Sequence, residues 1–152
     1  MSEYKYEELS PDKIKSIDSL IEEQREYYPD FNYWIRRVIV GVRNGERKII
    51  VAKDNDLIVG VIILKKMKNE NKISTIYVDK EYRGKGIGTE LIKRSKDFFD
   101  EDVVPIITIS DNSVESFSFW IDSGKFTLNK KIHNMYKMGH VELFYNVNFN
   151  KF

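Results

Sequence analysis

Hydrophobic and polar positions recur along this chain with two different periods, and the places where the period changes mark its elements. In SPDKIKSIDSLIEEQ, Ile14, Ile17, Leu20 and Ile21 fall on one helical face. Ser10 is placed as N-cap and Pro11 in the first turn, so a helix is predicted that Pro29 stops. A second helix is predicted over NYWIRRVIVGVRNG, capped by Asn32, with Ile35, Val38, Ile39 and Val42 inward, arginines outward and Asn44-Gly45 as the exit. The period then drops to that of strands. RKIIVAK and LIVGVIILKK are β-branched runs around DND, a hairpin signal, and KISTIYV is the next strand, entered through the polar loop KNENK. Helical spacing returns at Ile87, Leu91, Ile92, Ser95 and Phe98. VVPIITIS follows as a strand, in which Pro105 must sit where no N–H is needed. DNSVESFSFWIDSG predicts another helix, with Asn112 and Glu115 as a capping pair and Val114, Phe117, Trp120 and Ile121 along one side. The tail predicts two strands around KMGH, and EYKYEEL adds a weak first strand. This order describes an α/β domain, a mixed sheet with helices on it, rather than a regular βα repeat.

Composition narrows the class. A chain of 152 residues, 41% hydrophobic and 32% charged, is the size and make-up of one globular domain, here residues 1–152. No apolar run approaches the roughly 20 residues that span a bilayer, and MSEYKYEELSPDK lacks the apolar stretch of a signal peptide, so a cytoplasmic protein without membrane contact is expected. The absence of cysteine excludes disulfides, thiolate nucleophiles and Cys-ligated zinc; with only His133 and His140 besides, no metal is expected. A net charge of +1 gives no overall field for nucleic acid. Its distribution is uneven: Glu3, Glu7, Glu8, Asp12, Asp18, Glu22, Glu23, Glu26 and Asp30 precede Arg36, Arg37, Arg43, Arg47, Lys48 and Lys53. Two solvated helix faces, or a basic patch for a polyanion, account for this pattern.

The chemistry concentrates in VDKEYRGKGIGTELIKRSKDFF. A glycine-rich turn between a strand and a helix N-terminus presents several backbone N–H groups in one direction, reinforced by the helix dipole; phosphate is the natural guest. Arg83 and Lys85 add charge at the rim. A Walker A loop requires a different spacing of Gly, Lys and Ser/Thr. A dinucleotide fingerprint requires G-x-G-x-x-G in a first βαβ unit, whereas here the glycines are Gly84, Gly86 and Gly88, after antiparallel strands.

YRGKGIGTELI instead resembles the acyl-CoA-binding motif of the GNAT superfamily of N-acetyltransferases, Arg/Gln-x-x-Gly-x-Gly/Ala, with Arg83, Gly86 and Gly88 at its defining positions. The order of elements is also similar to that superfamily over most of the chain. The resemblance implies the GNAT acyl-CoA N-acyltransferase fold: a central mixed, mostly antiparallel sheet of six to seven strands flanked by about four helices. It further implies acetyl-CoA as co-substrate, its pyrophosphate on the backbone of Arg83, Gly84, Lys85, Gly86, Ile87, Gly88 and Thr89. Ile76, Tyr77 and Val78 would pair with the pantetheine arm as an added strand, and Asn112 would contact the cofactor.

The same resemblance implies direct attack of a primary amine on the thioester, with an oxyanion donor in the bulged part of STIYV near Val78. The family's thiolate acid is a tyrosine four residues before the glycine of Y-x-x-x-G-F. Here that position is Trp120, and WIDSGKF carries one extra residue before its phenylalanine. Tyr136 is the substitute candidate and Tyr145 the reserve. Glu70 and Glu142 are the candidate bases, with His133 and His140 in a suitable pKa range. The expected acceptor is a small-molecule or peptide amine. Trp120 keeps open a non-catalytic acyl-CoA-binding regulatory protein, and the arginines of the second helix keep open a toxin that acetylates aminoacyl-tRNA. The aromatic tail VELFYNVNFNKF suits either a homodimer contact or a sheet edge.

Overall fold

A computed structural model of the chain describes residues 3–22, 30–135 and 138–152. Seven strands form one sheet: β1 Lys5–Glu8, β2 Arg47–Asp54, β3 Leu57–Met67, β4 Glu70–Val78, β5 Ile106–Ser110, β6 Phe126–His133 and β7 Val141–Val147. Their spatial order is β1-β2-β3-β4-β5-β7-β6, antiparallel throughout except between β4 and β5. Among the described residues four α-helices, α1 Asp18–Ile21, α2 Phe31–Asn44, α3 Ile87–Ser95 and α4 Ser118–Asp122, pack on it.

Strand alternation divides the core into two layers. On one face Ile49, Val51, Val61 and Ile63 meet Ile14, Ile17, Ile21 and Val38 from α1, α2 and the turn before α1. On the other Ile50, Ile62, Leu64, Ile73 and Ile107 meet Ile87, Leu91 and Ile92 of α3, and Phe117, Trp120 and Ile121 flank them. The aromatic tail closes this second layer from within the same chain: Phe149 packs on Phe99 at 6.1 Å and Phe152 on Phe126 at 6.2 Å, centroid to centroid.

Several predicted details change. The first helix winds as a 3-10 helix over Pro11–Ile17 before becoming α, with Ser10 Oγ accepting from the Asp12 N–H at 3.4 Å. Pro29, its predicted stop, lies outside the described residues. α2 is capped by Asp30, whose Oδ1 accepts from the Tyr33 N–H at 3.2 Å, not by Asn32; burial of Phe31 begins the helix earlier. KNENK shrinks to a turn at Lys68-Asn69, with Asn69 at φ 66°, and Glu70 already belongs to β4. Pro105 sits just outside β5, where only its carbonyl is used, by the Val147 N–H. The helix after β5 starts as a 3-10 helix, Asp111–Phe117, and the capping pair Asn112/Glu115 does not form: Ser110 is the N-cap, and Asn112 Oδ1 accepts from the Ser110 hydroxyl at 2.8 Å.

The two charge blocks meet each other in part. Glu7 pairs with Lys53, Glu8 with Lys48 at 3.8 Å, and Asp12 with Arg43 at 3.1 Å, because β1 lies against β2 and the turn before α1 crosses α2. Arg47 is buried beneath α2, where a Cβ added at Gly41 would lie 2.6 Å from its Cγ and Cδ. Gly41→Ala is therefore expected to cost about 1–3 kcal/mol through overpacking. Urea denaturation monitored by circular dichroism checks this; an unchanged midpoint would show that Arg47 swings away freely.

Candidate functional site

The parallel ladder between β4 and β5 has only two rungs, Lys72 with Ile106 and Ile73 with Ile107, although β4 continues to Val78 and β5 to Ser110. Asn71 fixes where it starts: its Nδ2 donates to the carbonyls of Asp100 at 2.7 Å and Val103 at 2.9 Å, tethering the loop that leads into β5. Opposite β3, the register slips between Ile63 and Leu64, so Ser74 is the extra residue of a bulge. The bulge thus lies at Ser74, not beside Val78. Beyond it the Asp79 N–H bonds the Val59 carbonyl at 2.8 Å. Antiparallel alternation then turns the N–H and C=O groups of Ile76 and Val78 away from β3, toward the side β5 has left.

The glycine turn sits at the end of this edge. Gly84 and Gly86 have φ of 78° and 84°, the left-handed region where a side chain is strained, and Gly86 is the N-cap of α3. The N–H groups of the first turn, 87–89, have no carbonyl four residues back within the helix and face the helix mouth. Arg83 is anchored rather than free at the rim: its Nε donates to the Val78 carbonyl at 2.9 Å and its guanidinium lies 5.2 Å from the Tyr77 ring centroid. Lys85 lies over Tyr82 at 5.8 Å, and the Tyr82 hydroxyl donates to Asp54 Oδ2 at 2.8 Å, a bond that pushes the phenol up.

Helix α4 forms the opposite wall. Trp120 Nε1 donates to Thr89 Oγ1 at 3.1 Å, and its ring covers Gly88. The result is a cleft of about 750 Å³ bounded by Ile76–Val78, the glycine turn, the start of α3, and Ser113, Ser116, Phe117, Phe119 and Trp120. Its N–H groups and cations can receive a diphosphate, its strand edge an extended amide chain, and its aromatic wall an apolar arm.

Of the sequence-predicted residues, Ile76, Tyr77, Val78, Arg83, Gly84, Gly86, Ile87, Gly88 and Thr89 line this one cleft. Lys85 and Asn112 are exposed and lie outside its wall. Glu70 pairs with Lys65 at 3.2 Å and precedes the ladder, so the closed end of the β4–β5 pair separates it from the cleft; a base there cannot meet an amine at the opening. Tyr145 belongs to the core beneath α3, and burial pushes its phenol up. Tyr136 lies outside the described residues. Ser113, Ser116 and Phe119 join Phe117 and Trp120 on the cleft wall through the way this segment packs against the glycine turn, which its local pattern does not encode. Among the described residues no group of three or more metal-ligating side chains comes together.

Residues 7–120 match the family profile described as Acetyltransferase (GNAT) domain. The chain belongs to the GNAT acetyltransferase family. It is an N-acetyltransferase by that membership, and its seven-stranded, mostly antiparallel sheet with four helices is the GNAT fold. Solved GNAT structures superpose on it. The PaiA N-acetyltransferase of Thermoplasma acidophilum, in complex with coenzyme A, is 17% identical with a TM-score of 0.70, covering 96% of this chain and 99% of that one. An N-acetyltransferase of Staphylococcus aureus is 16% identical with a TM-score of 0.71, covering 97% and 99%. A provisionally named streptothricin acetyltransferase of Bacillus anthracis, in complex with acetyl coenzyme A, is 27% identical with a TM-score of 0.60, covering 68% and 64%. No curated protein matches the sequence. No helix among the described residues is long and apolar enough to cross a membrane.

Proposed function

We propose that this GNAT protein transfers the acetyl group of acetyl-CoA to a primary amine by direct attack in a ternary complex. The observation that carries the reading is the continuity of one cleft from the glycine turn to the parted edge of β4. The backbone of 84–89 would hold the pyrophosphate, with Arg83 and Lys85 adding charge and Ile76 and Val78 pairing with the pantetheine amides. Ser113 and Ser116, in the 3-10 helix before α4, replace Asn112 as the polar groups of this wall in this reading. Acetyl-CoA supplies an activated thioester; the chain's own part is to orient it, exclude water and hold the amine in line. With the bulge at Ser74, the Val78 N–H falls in this reading to the pantetheine arm rather than to the oxyanion for which it was a candidate. Leaving-thiolate protonation falls to solvent or to Tyr136, since the Trp120 indole N–H is already engaged by Thr89.

Small-molecule and peptide amines are the proposed acceptors. A tRNA acceptor is not favoured: of the six cations that suggested a basic patch, Arg43, Lys48 and Lys53 are in ion pairs and Arg47 is buried. Two measurements test the reading. Calorimetric titration should give acetyl-CoA binding of micromolar order, about −8 kcal/mol. A thiol-release assay across amino acids, peptides, polyamines and aminoglycosides should give acceptor-dependent CoA. Binding without release for any amine would replace the enzyme by a non-catalytic acyl-CoA-binding protein.

A further inference from the structure

The glycine turn is exposed from Arg83 to Gly86, and the chain re-enters the core only at Ile87, 1% exposed. An ideal Cβ at Gly84 or Gly86 would meet nothing within 4 Å, so packing does not hold the turn in shape. Glycine also has the most conformational freedom to lose when a turn is ordered. Such a loop presents converging N–H groups to a guest only where its entry is fixed as firmly as its exit. The exit is the buried start of α3. The entry is the pair Tyr82-Arg83. Arg83 ties back to the Val78 carbonyl at the end of β4, whereas Tyr82 reaches across to another part of the sheet. Its hydroxyl donates to Asp54 Oδ2 at 2.8 Å. The Tyr4 ring meets its ring edge-on, 6.1 Å between centroids and 78° between planes, and the Lys85 ammonium lies 5.8 Å from its centroid. The Tyr82 backbone is shaped locally, by a 3-10 turn over Lys80–Tyr82 whose N-cap Asp79 accepts from the Glu81 N–H at 3.0 Å. Asp54 sets where that turn sits. It is the last residue of β2, paired with Leu57 across the tip of the β2–β3 hairpin, and it lies outside the cleft wall that Tyr82 lines.

We propose that Asp54 is a positioning residue for the donor: through Tyr82 it holds the entry of the glycine turn, and with it Lys85, in the arrangement that receives the diphosphate of coenzyme A. The inference rests on the acetyl-CoA reading above. A phenol donating to a carboxylate makes a charge-assisted bond, stronger than one between neutral groups. That bond orients the ring, and the ring in turn keeps the Lys85 ammonium beside the turn. Tyr82→Phe keeps the ring and drops its hydroxyl; Asp54→Ala keeps Tyr82 whole and removes its partner. Two residues that act as one unit lose the same function whichever is changed, and changing the second adds nothing. Charge alone makes the opposite prediction for Asp54, since removing a carboxylate from the neighbourhood of an anion site raises affinity for the anion.

The test titrates acetyl-CoA into the full chain and its variants, with backbone amide relaxation measured on the ligand-free proteins. Asp54→Ala and Tyr82→Phe should each weaken acetyl-CoA about tenfold, and the double variant also about tenfold rather than about a hundredfold. Asp54→Asn, whose side-chain carbonyl still accepts from the phenol, should stay within about threefold of the wild type. In ligand-free Asp54→Ala the amide order parameters of residues 84–86 should fall from the rigid range, about 0.85, to below about 0.6, with those of α3 unchanged. Thermal melts establish that the variants are folded, and Tyr82→Phe carries the comparison should Asp54→Ala not be. Affinity unchanged or raised in Asp54→Ala, losses that multiply in the double variant, no recovery in Asp54→Asn, or order parameters that do not move would overturn the tether. Failure of acetyl-CoA to bind the wild-type chain would instead overturn the donor reading beneath it, and the order parameters would still decide whether Asp54 holds the turn.

Discussion

Gly86→Glu is expected to lower acetyl-CoA affinity at least about a hundredfold, roughly 2.8 kcal/mol, while the domain still unfolds in one cooperative transition. The position makes the two effects separable. A Cβ at Gly86 meets nothing within 4 Å, so the new side chain has room and the folded packing is not disturbed. Backbone strain from a φ of 84° costs about 1–2 kcal/mol in a residue with a side chain. The carboxylate then stands at the N-terminus of α3, beside the N–H groups proposed to receive the pyrophosphate, where it competes for the helix dipole and repels the ligand. Gly86→Ala carries the same strain without the charge and should lose no more than about tenfold. Equal, small losses in both variants, read by calorimetric titration, would falsify the assignment of the diphosphate to this turn.

The residues that predicted the fold are those whose burial and period agree. Ile14, Ile17 and Ile21, Val38, and the β-branched runs of β2 and β3 all reach the core their spacing implied. The glycine turn was legible for the same reason: strand, left-handed turn and apolar helix occupy consecutive positions, so one local pattern encodes the whole site wall. What could not be read depends on register and on packing between distant segments. The bulge at Ser74 exists because β4 slips its register on β3, and the two-rung ladder because β5, more than thirty residues later, pairs with β4 over so short a length. The cleft-lining serines depend on how Asp111–Phe117 packs against the glycine turn, a contact between segments more than twenty residues apart. Charge clustering misled for a tertiary reason, since β1 returns to β2 and sets acidic residues beside basic ones.

Gly88→Val is the second substitution expected to lower acetyl-CoA affinity about a hundredfold or more, but by a different route, and its rescue tells the two apart. Gly88 does not need a left-handed φ. A Cβ there would lie 3.0 Å from both Cη2 and Cζ2 of Trp120 and 3.7 Å from Val78 Cγ2, so the glycine is demanded by the indole seated on it. The indole in turn donates to Thr89 in the same helical turn. Trp120 therefore clamps α4 onto the start of α3, which accounts for a tryptophan where the family pattern has an acid: the position holds the cleft's two walls together. Valine at 88 forces the ring outward, breaks the bond to Thr89 and tilts the N–H groups away from their guest, with about 1–3 kcal/mol lost in stability as well. Trp120→Ala in the same chain removes the obstacle and should recover affinity to within about tenfold of the Trp120→Ala single variant. If the double variant binds no better than Gly88→Val alone, the missing Cβ serves close approach of the ligand itself, and Trp120 is a neighbour of the site rather than its clamp.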